Sequence, residues 1–127
     1  PEEQGLHQQV KEYGTGVIAF SPLAQGLLTN RYLNGIPEDS RIARGGFLKK
    51  EQLTEQVFNK IKALNEVAGN RGQTLAEMAL AWVLKDDLVT SVIVGASSVK
   101  QLEDNLKVTE NRKFSTDEIQ RIGNILQ

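Results

Sequence analysis

Apolar residues recur along this chain in two kinds of spacing, and each kind implies a different local structure. Two short runs, Gly16-Val17-Ile18-Ala19-Phe20-Ser21 and Thr90-Ser91-Val92-Ile93-Val94-Gly95, are rich in β-branched residues and do not alternate with polar ones. A strand that is apolar on both faces should be covered on both, as in a parallel sheet flanked by helices. Elsewhere apolar positions return every three or four residues. Leu6, Val10 and Tyr13 fall on one helix face, and Gly14 stands where a C-terminal cap belongs. Leu53, Val57, Ile61, Leu64 and Ala68 mark a second helix, which Gly69 or Gly72 ends.

Three more helices are announced by capping boxes, in which a hydroxyl and a side chain three residues later satisfy each other's free backbone donors. They are Thr74-Leu75-Ala76-Glu77, Ser98-Val99-Lys100-Gln101 and Ser115-Thr116-Asp117-Glu118, and each opens a stretch of helical apolar period. The order is therefore helix, strand, long loop, helix, helix, strand, helix, helix: βα organisation, with no internal repeat or low-complexity linker. The long segment from about Leu27 to Lys50 carries Arg31, Arg41, Arg44 and Lys49. Loops of that length usually work as lids or binding loops, and this one follows the C-terminal end of a buried strand, where α/β folds place ligands.

Composition narrows the function classes. The chain has 127 residues, 39% of them hydrophobic, and fifteen basic against sixteen acidic side chains leave a net charge of −1. That balance gives no electrostatic reason to expect nucleic acid or an anionic membrane. No apolar run approaches the roughly 20 residues that span a bilayer, and Pro1-Glu2-Glu3-Gln4 lacks both parts of a signal peptide. There is no cysteine and a single histidine, so disulfides, thiolate catalysis and a metal cluster are not expected. These traits describe a cytoplasmic α/β domain. The opening on Pro1, without an initiator methionine, suits a piece of a longer protein.

Three stretches, in order, resemble one family. Phe20-Ser21-Pro22-Leu23-Ala24-Gln25-Gly26-Leu27-Leu28-Thr29 is similar to the seventh strand and following loop of aldo-keto reductases. Thr74-Leu75-Ala76-Glu77-Met78-Ala79-Leu80-Ala81-Trp82-Val83-Leu84 resembles the helix before their eighth strand. Ile93-Val94-Gly95-Ala96-Ser97-Ser98-Val99-Lys100-Gln101-Leu102-Glu103-Asp104-Asn105 resembles the eighth strand, its phosphate loop and the last barrel helix. Phe114 to Glu118 fits the terminal helix. The loop Tyr32-Leu33-Asn34-Gly35-Ile36-Pro37, with Ser40 and Arg41, is of the style found in bacterial glyceraldehyde-phosphate reductases and potassium-channel β-subunits.

The resemblance implies an α/β fold, the C-terminal part of a (β/α)8 TIM barrel with about two parallel strands and flanking helices. Residues 1–127 would supply helix six, strand seven, a basic loop, helix seven, strand eight, helix eight and the closing helix. It also implies NADP(H) across the C-terminal face, where the loops after strands seven and eight commonly bind phosphate. Ser21 and Gly26 would bring a hydroxyl and open backbone to the pyrophosphate, Pro22 would hold the turn, and Leu23 and Gln25 would line the diphosphate path. Gly95 would let the ligand approach the backbone, and Ser97 and Ser98 would start a helix whose free N–H groups favour an anion. Gln101 would lie near a 2′-phosphorylated ribose, and Asp104 and Asn105 would meet adenine. Arg31 and Arg41 would clamp phosphate and adenine. The residues alone leave plainer readings open: Ser98 as a helix cap, Asn105 as a solvated helix residue, the four basic loop residues as surface. Trp82 and Met78 read as core, and His7 as surface.

The family moves a hydride from the nicotinamide to a carbonyl, using a tyrosine acid with a lysine, an aspartate and a histidine. Those groups belong to the first half of the barrel. Neither Tyr13 nor Tyr32 matches the tyrosine's motif, so no catalytic residue is expected here. The resemblance thus implies part of an NADPH-dependent oxidoreductase for small aldehydes or ketoaldehydes, the carbonyl substrate being held by the missing half. The alternatives are a nucleotide-binding regulatory subunit like the channel β-subunits, an inactive self-associating fragment, and an unrelated small α/β module. Gly95 and Gln101 stand where some reductases carry a lysine and an arginine, so cations would come from the loop after strand seven. A two-stranded sheet cannot close and has open edges. Self-association, or a longer parent chain, is therefore expected.

Overall fold

The computed structural model describes residues 5–29 and 53–127. Its elements are α1 (Leu6–Tyr13), β1 (Ile18–Phe20), α2 (Glu55–Asn70), α3 (Leu75–Val83), β2 (Ser91–Ile93), α4 (Val99–Leu106) and α5 (Thr116–Leu126). Short 3₁₀ turns lie at Ala24–Gly26 and Lys107–Glu110. The local signals explain most boundaries. Gly14 ends α1 in the left-handed region and returns its N–H to Val10 O. Helix α2 runs through Gly69 and stops before Gly72, whose φ is +68°. The boxes at Thr74/Glu77 and Ser115/Glu118 close reciprocally. Among the described residues, no helix is long and apolar enough to cross a membrane.

β1 and β2 pair in parallel, Ile18 opposite Ser91, Ala19 opposite Val92 and Phe20 opposite Ile93. Parallel neighbours need a long crossover, and α2 and α3 lie in it. Thr90 extends the ladder at its start: its Oγ1 accepts from Val17 N–H at 3.1 Å, and its own N–H donates to Val17 O at 2.9 Å.

Helix α3 sits between two packing layers, which is why it is apolar nearly all round. Leu75 and Met78 pack with Ile61, Leu64, Val67 and Ala68 of α2 and Ile122 of α5. On its other side, Leu80 and Ala81 pack with Val108, against which Val92 and Val94 lean. Phe114 touches both clusters and meets Trp82 edge-on, the ring centroids 5.2 Å apart. Trp82 and Met78 therefore belong to the core, as the sequence suggests. His7, on α1, is half-buried.

The described helices do not cover both sheet faces, which agrees with apolar faces left open for the missing half of a barrel and not with a sheet fully flanked by helices. Ala19 and Val92 are half-buried, whereas Ile18, Phe20 and Ile93 on the opposite face are 65%, 80% and 60% exposed. The unbroken apolar runs signal two covered faces, but the described helices clothe only one. Helix α4 likewise turns Val99, Leu102 and Leu106 outward.

The turn between α2 and α3 is fastened to the start of α5 by Arg71, whose side chain is 3% exposed. Its Nε donates to Gln73 Oε1 at 2.8 Å and Nη1 to Glu118 Oε2 at 2.7 Å. Nη2 donates to Lys113 O at 3.0 Å, and the guanidinium lies 3.9 Å over the Phe114 ring. A buried guanidinium is tolerated only when its donors are met in this way. Burial of the Glu118 carboxyl tends to raise its pKa, but the Ser115 N–H and the Arg71 guanidinium outweigh that and hold it below its ordinary 4.5. A carboxylate depressed in the folded state contributes stability above its unfolded pKa and loses it as pH falls through the folded value. Chemical denaturation should therefore show stability declining below about pH 4.5, with a shallower decline in Glu118→Gln. Arg71→Ala should cost roughly 3 kcal/mol at neutral pH.

Candidate functional site

At the C-terminal end of β1 the backbone adopts an unusual course. Ser21, Ala24 and Gln25 all have left-handed φ, at 53°, 46° and 58°, and Gly26 follows at 96°. Only the last is a glycine. A non-glycine residue in that region costs on the order of 1–2 kcal/mol, so the surroundings must impose the conformation. They do so from both ends of the loop. Leu23 packs on the sheet-side cluster, and Leu27 and Leu28 on the α2–α5 cluster. The loop then closes on itself: Ala24 N–H donates to Ser21 O at 3.0 Å, Gly26 N–H to Leu23 O at 2.9 Å, and Thr29 Oγ1 to Gly26 O at 2.6 Å.

β2 leads through Val94, Gly95 and Ala96 to the start of α4. Ser98 caps that helix by accepting from Gln101 N–H at 3.2 Å. The reciprocal half of the expected box does not form. Gln101 Oε1 instead accepts from Ser97 N–H at 2.8 Å and from Ser97 Oγ at 3.0 Å. Gly95 has no positive φ, and a Cβ built on it would meet nothing described within 4 Å. Neither backbone strain nor packing within the described residues demands glycine there.

The two loops leave the sheet side by side and line one cleft of about 470 Å³. Of the anticipated residues, Ser21, Pro22, Leu23, Gln25 and Gly26 enter it from the β1 side, and Gly95, Ser97 and Gln101 from the β2 side. Thr29 and Ala96 also line it. Both lie inside the quoted motifs, but no spacing rule singled them out. Phe20 and Ile93 form its floor from the uncovered sheet face.

Asp104 and Asn105 do not line the cleft. Asp104 bonds Lys107 at 2.7 Å and Lys100 at 3.0 Å, which holds its carboxyl below the usual carboxylate range. Asn105 is 6% exposed, and its Nδ2 is buried without a hydrogen-bond partner among the described residues. Such an unmet donor costs about 1–3 kcal/mol. Arg31 and Arg41 lie outside the described residues. No described lining residue carries a charge, so the cleft offers hydroxyls, carboxamides and open backbone. That donor set fits a phosphorylated, polar ligand.

If the Gln25 backbone is held against its preference, Gln25→Gly should leave stability unchanged or raise it by up to about 1 kcal/mol. Gln25→Val, equally without the carboxamide, should lower it; equal melting temperatures for the two variants would show that the loop is unstrained.

The model of the aldo/keto reductase family matches residues 1–127. The chain is 51% identical over 125 residues to the L-glyceraldehyde 3-phosphate reductase of Escherichia coli (strain K12), covering 95% of this chain and 36% of that protein. It is 39% identical over 101 residues to a probable voltage-gated potassium channel subunit beta of Arabidopsis thaliana, covering 77% of this chain and 31% of that one. Among solved structures, it matches the apo form of an aldo-keto reductase from Bacillus halodurans with a TM-score of 0.64 at 28% identity, over 97% of this chain and 38% of that one. It matches the glycerol dehydrogenase of Gluconobacter oxydans with a TM-score of 0.73 at 23% identity, over 98% of this chain and 38% of that one. These structures are TIM barrels, and the two parallel strands with their helices are a portion of that fold. The chain spans little more than a third of the length of the reductase it matches.

Proposed function

The chain belongs to the aldo/keto reductase family, and from that premise we propose that it supplies the phosphate- and adenine-holding side of an NADP(H) site in an oxidoreductase acting on small aldehydes or ketoaldehydes. The observation that carries this reading is the shared cleft, in which two loops from neighbouring parallel strands converge at one end of the sheet. When bound, the dinucleotide supplies the hydride. The chain's own residues bind and orient it. Ser21 and the strained turn at Gln25–Gly26 hold the diphosphate, Gly95 leaves room for its approach, and Ser97 with Gln101 meets the phosphorylated ribose. Asp104, its charge balanced by two lysines, and Asn105, one turn on from Gln101, complete the adenine end. Arg31 and Arg41 add the cations that the described lining lacks. The groups that act on the carbonyl come from the rest of the barrel.

A second reading, a nucleotide-binding regulatory subunit, is favoured by the likeness to a channel β-subunit. It uses the same cleft and differs only in what the bound nucleotide does.

The exposed face of Ile18, Phe20 and Ile93 is a barrel interior in this reading. Further strands cover it, from a longer parent chain or from copies of this one. Analytical ultracentrifugation of the 127-residue chain should give dimers or larger species; a monomer with a sharp melting transition would contradict that.

Titration with NADPH should perturb the NMR resonances of residues 21–26 and 95–101. Gly95→Val should weaken binding at least about tenfold, near 1.4 kcal/mol, while leaving the melting temperature unchanged. Unperturbed resonances in both loops would remove the dinucleotide assignment.

A further inference from the structure

Apolar contacts fix where the loop after β1 runs, but not which way its peptide planes turn. Leu23, Leu27 and Leu28 root it in the two clusters, yet a peptide can rotate between fixed neighbours and exchange the directions of its carbonyl and its N–H. The plane between Gly26 and Leu27 is the one most open to this, because glycine tolerates either setting without steric cost. In the structure that plane is held at both ends. Leu27 N–H donates to Ala24 O at 3.2 Å, and Gly26 O accepts from Thr29 Oγ1 at 2.6 Å. The second contact is at the short end of the range for a hydroxyl and a carbonyl. It is partly buried, and it comes from a residue that itself lines the cleft. It also comes from a side chain, whereas Ala24 N–H to Ser21 O, Gly26 N–H to Leu23 O and Leu28 N–H to Leu23 O are backbone bonds open to any sequence.

We propose that Thr29 is a positioning residue for the cleft: its hydroxyl locks the Gly26–Leu27 peptide, and with it the left-handed turn at Gln25 and Gly26, in one orientation before any ligand arrives. This role rests on the dinucleotide reading, in which that turn holds the diphosphate, and it names the group that prepares the turn. Thr29 acts through Gly26 and needs no contact with the ligand. A diphosphate draws N–H groups toward it and repels carbonyl oxygens, so one setting of the plane suits it and the other does not. Where the competent setting is only part of the population, the apparent dissociation constant rises by the inverse of that fraction. Without the hydroxyl, Gly26 O loses its side-chain donor, and glycine offers no steric resistance to the turn of the plane. The two substituents on the threonine Cβ also restrict its χ1, which keeps the hydroxyl in place.

The test compares the ¹⁵N-labelled 127-residue chain with Thr29→Val, which keeps the shape and loses the hydroxyl, and with Thr29→Ser, which keeps the donor. In Thr29→Val, amide exchange at Leu27 should quicken several-fold while the amides of α3 stay unchanged. The dissociation constant for NADPH, read from the resonances of residues 21–26, should rise several-fold in the same variant. Thr29→Ser should match the unsubstituted chain on both counts. Exchange that quickens equally in α3 would mean that the hydroxyl only supports the fold at large, and would overturn the proposal. Unchanged NADPH affinity in Thr29→Val would overturn it too, as would a serine variant as weak as the valine one, which would assign the effect to the methyl group. NADPH leaving residues 21–26 and 95–101 unperturbed in all three proteins, while Leu27 exchange still quickens in Thr29→Val alone, would sink the dinucleotide reading and spare the peptide lock.

Discussion

Parallel strands run the same way, so whatever follows them emerges at the same end of the sheet. Here the ladder that sets Phe20 opposite Ile93 brings Ser21 and Gly95, some seventy residues apart in the chain, to the two lips of one cleft. Everything said about the site depends on that pairing. It needs a crossover long enough to return the chain, and the crossover contains α2 and α3. Their packing is thus the foundation of the site as well as the bulk of the core.

The cost of the site is visible in its backbone. Left-handed Ser21, Ala24 and Gln25 would relax in an isolated peptide. Here Leu23, Leu27 and Leu28 are rooted in the two apolar clusters and hold the loop between them. The three leucines are half-buried, so each contributes part of the roughly 1.5–3 kcal/mol that full burial gives, which works against the strain. The second lip is held more lightly, by the Ser98 cap and the Gln101 contact with Ser97. Apolar contacts hold the first lip, and exposed hydrogen bonds hold the second.

Legibility in the sequence followed the range of the interactions. The boxes at Thr74 and Ser115 and the cap at Gly14 were readable because each is completed within five residues. The strands were readable as apolar, and an uncovered face followed from the missing half of the barrel, though the runs themselves could not say which residues it would leave exposed. The half-formed box at Ser98 was misread because local spacing cannot say whether Gln101 prefers the N–H of Ser98 or the donors of Ser97. Nothing in the residue types betrayed the left-handed turn at Ala24 and Gln25, where only Gly26 gives a hint. The cleft residues came from family resemblance; serine, glutamine and glycine at those spacings have no chemistry that periodicity can reveal. Arg71 carries no local signal because, Gln73 apart, its partners Lys113 and Glu118 lie 42 and 47 residues away.

Phe114 belongs to both apolar clusters and carries Arg71 on its face. A single ring is thus shared between the layer that bears the ion pair with Glu118 and the layer on which Leu23 and Val94 rest. The guanidinium that neutralises that carboxylate therefore rests on a ring that both apolar layers share, so the ion pair and the support of the loop after β1 meet at one side chain.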